Sequence, residues 1–149
     1  MLFRSFGPWE ERQPAIEHVL ERERPDVVFL QEVDRESGQA DRIARGLGLQ
    51  VATTEDRWPM ANAILARWPL VEVEQIGLPG PNGSEGPRRL LSAVCATPWG
   101  PWPLATTHLA HRFDESEVRM AQVDLIADHV DARRGDPATD LPVVLGGDF

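Results

Sequence analysis

Two short runs in this chain are apolar at every position, Val27-Val28-Phe29-Leu30 and Val143-Val144-Leu145. A strand with one wet face alternates apolar and polar residues. A strand without alternation is covered on both faces. Each run therefore predicts an inner strand, with further layers on either side of its sheet.

The sequence around these runs supplies the layers. Ile16, Val19 and Leu20 mark one face of a helix that begins near Pro14 and is stopped by Pro25, with Glu10, Glu11 and Glu17 suiting its positive N-terminal end. A strand over Asp26–Gln31 follows. Gly38–Gly46 predicts a short helix with Ile43 and Leu47 inward, ended by Gly46 or Gly48. Strands are expected at Gln50–Thr54, Ala61–Arg67 and Val71–Ile76. Leu78–Pro87, rich in Gly, Pro, Asn and Ser, predicts a loop. Strands at Arg88–Thr97 and Trp102–His108 flank a hairpin turn over Pro98-Trp99-Gly100-Pro101. Asp114 is placed to cap the next helix, with Glu117 completing a capping-box pair. Val118, Ala121, Leu125 and His129 share that helix's inner face, widened by Ile126 and Val130. The order of helices, hairpin strands and buried strands favours an α/β (α+β) layered sandwich over an all-parallel doubly wound sheet.

Composition narrows the possibilities. The 149 residues suffice for one domain, and a complete domain of that size buries about 68–70% of its unfolded surface. The single cysteine, Cys95, forms neither an internal disulfide nor a zinc site, and its apolar neighbours make it a core residue. No apolar run reaches the roughly 18 residues that span a bilayer. Met1 is not followed by a basic and then an apolar segment, so no secretory leader is read and a cytoplasmic location is expected. The net charge is −9, every basic side chain is Arg, and the only basic pairs are Arg88-Arg89 and Arg133-Arg134. That balance leans against a general nucleic-acid binder and toward a smaller phosphoester, without excluding nucleic acid.

Polar residues fall where the inner strands end. Val27–Leu30 leads into Gln31-Glu32, Leu104–Thr107 into His108, and Val143–Leu145 into Gly146-Gly147-Asp148. Ligands commonly bind where strands of α/β proteins run out. Two carboxylates and a histidine suit a hard divalent cation beside a phosphate, since Mg²⁺ is held by one or two carboxylates and keeps several waters. The Gly pair lets the backbone turn tightly and approach a ligand. Taken singly, each is as well read as a solvated strand end or a structural histidine. From the residues alone, a shared metal site and three unrelated strand ends remain alternatives. His18, His111 and His129 are read as surface or structural.

Five segments, in order, resemble the endonuclease/exonuclease/phosphatase family. They are Leu30-Gln31-Glu32-Val33 ("LQE"), Asn62 to Pro69 ("GNAILSRxP", with Ala61 for the usual Gly), Thr106-Thr107-His108-Leu109 ("NTHL"), Arg119 with Gln122 ("RxxQ"), and Gly146-Gly147-Asp148-Phe149 ("GDFN" without the Asn). The resemblance implies a four-layer αββα sandwich, here incomplete, over residues 1–149. It implies a hydrolase acting on phosphoesters, with Mg²⁺ or Mn²⁺ as cofactor. Glu32 would be the metal ligand. His108 and Asp148 would be catalytic, His108 at the scissile phosphate and Asp148 beside the attacking water or the metal. Asn62 and Arg88 would bind substrate, and Arg119 and Gln122 are read as structural. The family's first strand, with its Asn, would precede Met1, since Leu2–Phe6 resembles the family's segment just after that strand. The Asn after Phe149 and a final Asp-His pair would lie beyond the last residue. These 149 residues alone are therefore expected to be essentially inactive. The competing readings are a non-catalytic binding module with the same fold and, on the Gly-Gly-Asp-Phe run, a nucleotide cyclase of the "GGDEF" kind.

Overall fold

A computed structural model describes residues 8–55 and 59–149. The chain order is α1 (Trp9–Glu23), β1 (Val27–Asp34), α2 (Gln39–Leu47), β2 (Gln50–Thr53), β3 (Met60–Ala66), β4 (Leu70–Pro79), β5 (Glu85–Thr97), β6 (Gly100–His108), α3 (Ser116–Ala132) and β7 (Val144–Asp148). One sheet has the order β1-β3-β2, all antiparallel. The other has the order β4-β5-β6-β7, antiparallel except for the parallel pair β6–β7.

Three apolar clusters set the layers. Ala40, Ile43 and Ala44 of α2 and Trp9 and Ile16 of α1 pack on Ala61, Ala63 and Leu65 of β3. Ile64 and Ala66, on the opposite face of β3, meet Leu91, Ala93, Cys95 and Leu104 of the second sheet. Ile126 of α3 covers Leu78, Leu90 and Ala105 on that sheet's outer face. The result is helices, sheet, sheet, helix: the αββα sandwich that the resemblance implied. Both apolar runs sit within it. Val27 and Phe29 face the other sheet while Val28 and Leu30 face the helices. Val144 faces inward and Leu145 faces α3.

Several boundaries differ from expectation, each for a local reason. Helix α1 begins at Trp9 rather than near Pro14, which lies inside it. The buried Trp9 ring anchors the first turns, outweighing the hydrogen bond that Pro14 cannot donate. Gly48, not Gly46, closes α2, with φ of 68° in the left-handed region. The loop expected over Leu78–Pro87 shrinks to a 3₁₀ turn at Pro81–Gly83, because Pro79 pairs with Glu85. A Cβ on Gly80 would lie 2.9 Å from the Gly86 Cα, so the two strands close only without side chains there. Strand β6 already begins at Gly100, and the hairpin turn is reduced to Pro98-Trp99. Asp114 does not cap α3. Glu115 occupies the cap position without a side-chain bond, and Arg119 holds the turn instead by donating to the carbonyls of Ala110 and Arg112 and to Ser116 Oγ.

Strand β7 runs on through the Gly pair to Asp148. The pair serves close packing rather than a turn. A Cβ on Gly146 would meet the Phe29 ring, and one on Gly147 would meet the Thr107 carbonyl, both well inside contact distance. The segment Leu2–Phe6, read as coming just after a first strand, lies outside the described residues.

Candidate active site

Strand alternation places the site. On β6, Leu104, Thr106 and His108 share the face between the sheets; on β7, Val144, Gly146 and Asp148 do; on β3, Ile64 and Asn62 do. Each row begins in the inner core and ends in a polar side chain. All of these ends fall at one end of the sandwich, because β3 runs antiparallel to β1, and β6 and β7 run parallel. His108 and Asp148 are direct partners in the parallel ladder.

Glu32 joins them through a departure from alternation. Leu30 pairs with Ala63 and Val33 with Ala61, so Gln31 and Glu32 together stand opposite Asn62 alone. This is a β-bulge. Glu32 has φ of 56°, a left-handed conformation costing a non-glycine residue about 1–2 kcal/mol. Without the extra residue Glu32 would face the helices. With it, Val33 returns to the helix side, Gln31 donates to Thr106 Oγ1 across the sheets at 2.9 Å, and Glu32 faces the same cavity as His108.

That cavity, about 490 Å³, is lined by Glu32, Asn62, Arg88, His108 and Asp148 together. The five residues named from the sequence are thus brought to one place. His108 lies between the carboxylates, with Nδ1 3.8 Å from Glu32 Oε1 and Nε2 3.7 Å from Asp148 Oδ2. Its ring is buried, and burial lowers its pKa, with Arg88 acting in the same direction and Asp148 and Glu32 against it. The neutral imidazole is favoured near pH 7. Arg88, partly buried, has its pKa lowered by burial, while Glu32, Asp148 and Glu115 favour its charge. Its guanidinium remains cationic. The Asn62 amide donates to the Arg89 carbonyl at 2.9 Å and its backbone N–H to Thr54 Oγ1, so it ties the two sheets together at the cavity floor.

Two residues of the following helix brace the cavity wall. Gln122, 1% exposed, accepts from the Ala110 N–H at 2.9 Å and donates to the Pro79 carbonyl at 2.8 Å. With Arg119 it pins the segment that carries His111 and Glu115, both lining the cavity. His111, read from the sequence as surface or structural, meets Arg88 there at 3.0 Å. No spacing signal marks it, since the contact joins residues 23 positions apart. His129 lies away from the cavity on α3, and His18 does not line it.

Among the described residues no three His, Cys, Asp or Glu side chains form a metal cage. The donors present are two carboxylates beside a histidine, and Glu32 makes no side-chain hydrogen bond among the described residues. That set fits an ion that takes one or two carboxylates and keeps its waters.

A four-layer αββα sandwich with an acidic and histidine-bearing cleft at the strand ends is the class this architecture defines. The sequence profile of the Endonuclease/Exonuclease/phosphatase family matches residues 4–149, and the chain belongs to that family. Among solved structures, the human Nocturnin catalytic domain with bound sulfate anion is similar at 25% identity and a TM-score of 0.77, over 95% of this chain and 57% of that one. ANGEL2, a 2′,3′-cyclic phosphatase in complex with adenosine-2′,3′-vanadate, is 20% identical with a TM-score of 0.77, over 95% and 44%. A mannosyl-6-phosphatase of Bacteroides thetaiotaomicron is 20% identical with a TM-score of 0.77, over 95% and 57%. The chain therefore spans about half the length of these structures. No curated protein matches it in sequence. Among the described residues no helix is long and apolar enough to cross a membrane.

Proposed function

We propose that the protein carrying this domain hydrolyses phosphoesters with the help of a divalent cation, Mg²⁺ or Mn²⁺. The observation that carries this reading is the convergence of Glu32, His108, Asp148 and Arg88 on one cavity, with the histidine within 4 Å of both carboxylates. Glu32 would hold the ion, with Asp148 as a second oxygen donor or as the group beside the attacking water. Bound there, such an ion supplies charge to polarise a phosphoryl oxygen and to stabilise the leaving oxygen. Arg88 donates hydrogen bonds to the non-bridging oxygens. Neutral His108 donates an N–H where negative charge builds during attack, a role that works best with donors already in position. The bulge at Glu32 and the ladder partnership of His108 with Asp148 provide that preorganisation.

The substrate is a phosphoester of unassigned class. The charge of −9 favours a small phosphoester over nucleic acid. The 149 residues alone are expected to turn over very slowly, as they span about half of the similar structures. The test is a panel of phosphomonoesters and phosphodiesters on the full-length protein with Mg²⁺, with Glu32→Ala as control. Turnover that falls at least about 100-fold in the variant supports the reading. A protein that neither turns over any substrate nor binds Mg²⁺ is a binding module that keeps the fold.

A further inference from the structure

We infer that His111 is a positioning residue for Arg88, a neutral acceptor that holds the guanidinium over the cavity without neutralising it. The inference rests on the reading of this cavity as a phosphoester site. Arg88 Nη2 lies 3.0 Å from His111 Nδ1. A guanidinium only donates, so Nδ1 accepts and the ring is neutral with its proton on Nε2. A protonated His111 has no lone pair to offer.

The choice of partner matters because of what surrounds Arg88. Glu32, Asp148 and Glu115 all act on its charge, yet among the described residues none of them forms an ion pair with it, and the His111 contact is the guanidinium's one hydrogen bond. A partly buried guanidinium with most of its N–H groups uncommitted is arranged for an incoming anion. Had residue 111 been a carboxylate, it would hold the side chain equally well but cancel the charge that attracts phosphate. An imidazole fixes the geometry and leaves the charge available.

His111 is itself held. The backbone N–H of its neighbour Ala110 donates to Gln122, and Arg119 donates to the carbonyls on both sides, at Ala110 and Arg112. The whole unit is a chain from α3, through the segment after β6, to Arg88 near the start of β5. Among the described residues the hydrogen bond of the His111 side chain is to Arg88, and its influence on His108 is through charge and not contact.

The test uses the full-length protein and inorganic phosphate as the probe. Binding is measured by titration calorimetry with Mg²⁺ present. Arg88→Ala is expected to weaken phosphate binding roughly 10–100-fold, the worth of a charge-assisted hydrogen bond. His111→Ala is expected to weaken it roughly 2–10-fold, the worth of a neutral one. His111→Gln, which keeps a neutral acceptor, should recover most of the loss. His111→Glu, an acceptor with charge, should not. In an Arg88→Ala background, His111→Ala should add nothing. Wild-type affinity in His111→Ala, full rescue by His111→Glu, or an undiminished second loss in the double variant overturns the inference while leaving the site's function standing. A wild-type protein that binds no phosphate overturns the phosphoester reading itself.

Discussion

Glu32 shows how much one residue's backbone decides at this site. Its left-handed conformation is unfavourable for a side chain with a Cβ, and only the surrounding pairing of β1 with β3 holds it there. The same residue is the proposed ion ligand, so Glu32→Gln should abolish Mg²⁺ binding measured by calorimetry while leaving the circular dichroism spectrum unchanged. Gly146 is constrained in the opposite sense. The Phe29 ring fills the space a Cβ would need. Gly146→Ala should lower stability by about 1–3 kcal/mol, the usual cost of overpacking, read as a fall in Tm. Two histidines link stability to pH. Burial lowers the pKa of His108 and of His129, the latter aided by Arg133 and opposed by Glu74. A histidine lowered in this way binds fewer protons folded than unfolded, so its contribution is complete above the unfolded value of about 6.5 and is lost as pH falls through the folded one. Tm should therefore drop between about pH 7 and pH 5, and His129→Gln should flatten that slope.

At the scale of elements, the site depends on a helix that contributes no reacting group. Gln122 of α3 reaches both the segment after β6 and the last residue of β4. Removing its amide takes the acceptor from the buried Ala110 N–H and a donor from the part-buried Pro79 carbonyl. Gln122→Ala should cost about 2–4 kcal/mol, seen as a lower denaturant midpoint, and should loosen the wall that carries His111. The "RxxQ" spacing on this helix was legible in the sequence as structural. Its partners were not, because Ala110 and Pro79 are brought to Gln122 only by the fold. Strand boundaries divide in the same way. The apolar runs of β1 and β7 were plain from residue order alone. Their extensions, across the bulge to Asp34 and through Gly146-Gly147 to Asp148, depend on ladder hydrogen bonds with β3 and β6. Local propensity does not encode those bonds.

For the molecule as a whole, the layer between the sheets and the site are one structure. Ile64, Leu91 and Leu104 fill that layer, and Asn62 and His108 lie two and four residues along the same strand faces. Ile64→Ala should cost about 2–5 kcal/mol by opening a cavity. Because the rows that end in Asn62 and His108 start there, the variant should also weaken Mg²⁺ binding under conditions where it stays folded. Independence of the two effects, with stability lost and ion affinity untouched, would show that the site is held by the strand ends alone.

The residue pattern by itself determined which strands are buried, which side chains stand at their ends, and that one more layer must lie on each side. These come from local rules: alternation reports burial, and apolar continuity reports cover on both faces. It also carried the ordered segments that mark the family. The tertiary structure alone decided that Glu32 turns inward, that Gly146 and Gly147 serve packing rather than a turn, and that Arg88 rests on His111. Each of these depends on contacts between residues far apart in the chain, where the energy of a bulge, a close approach or a hydrogen bond is set by the partner strand.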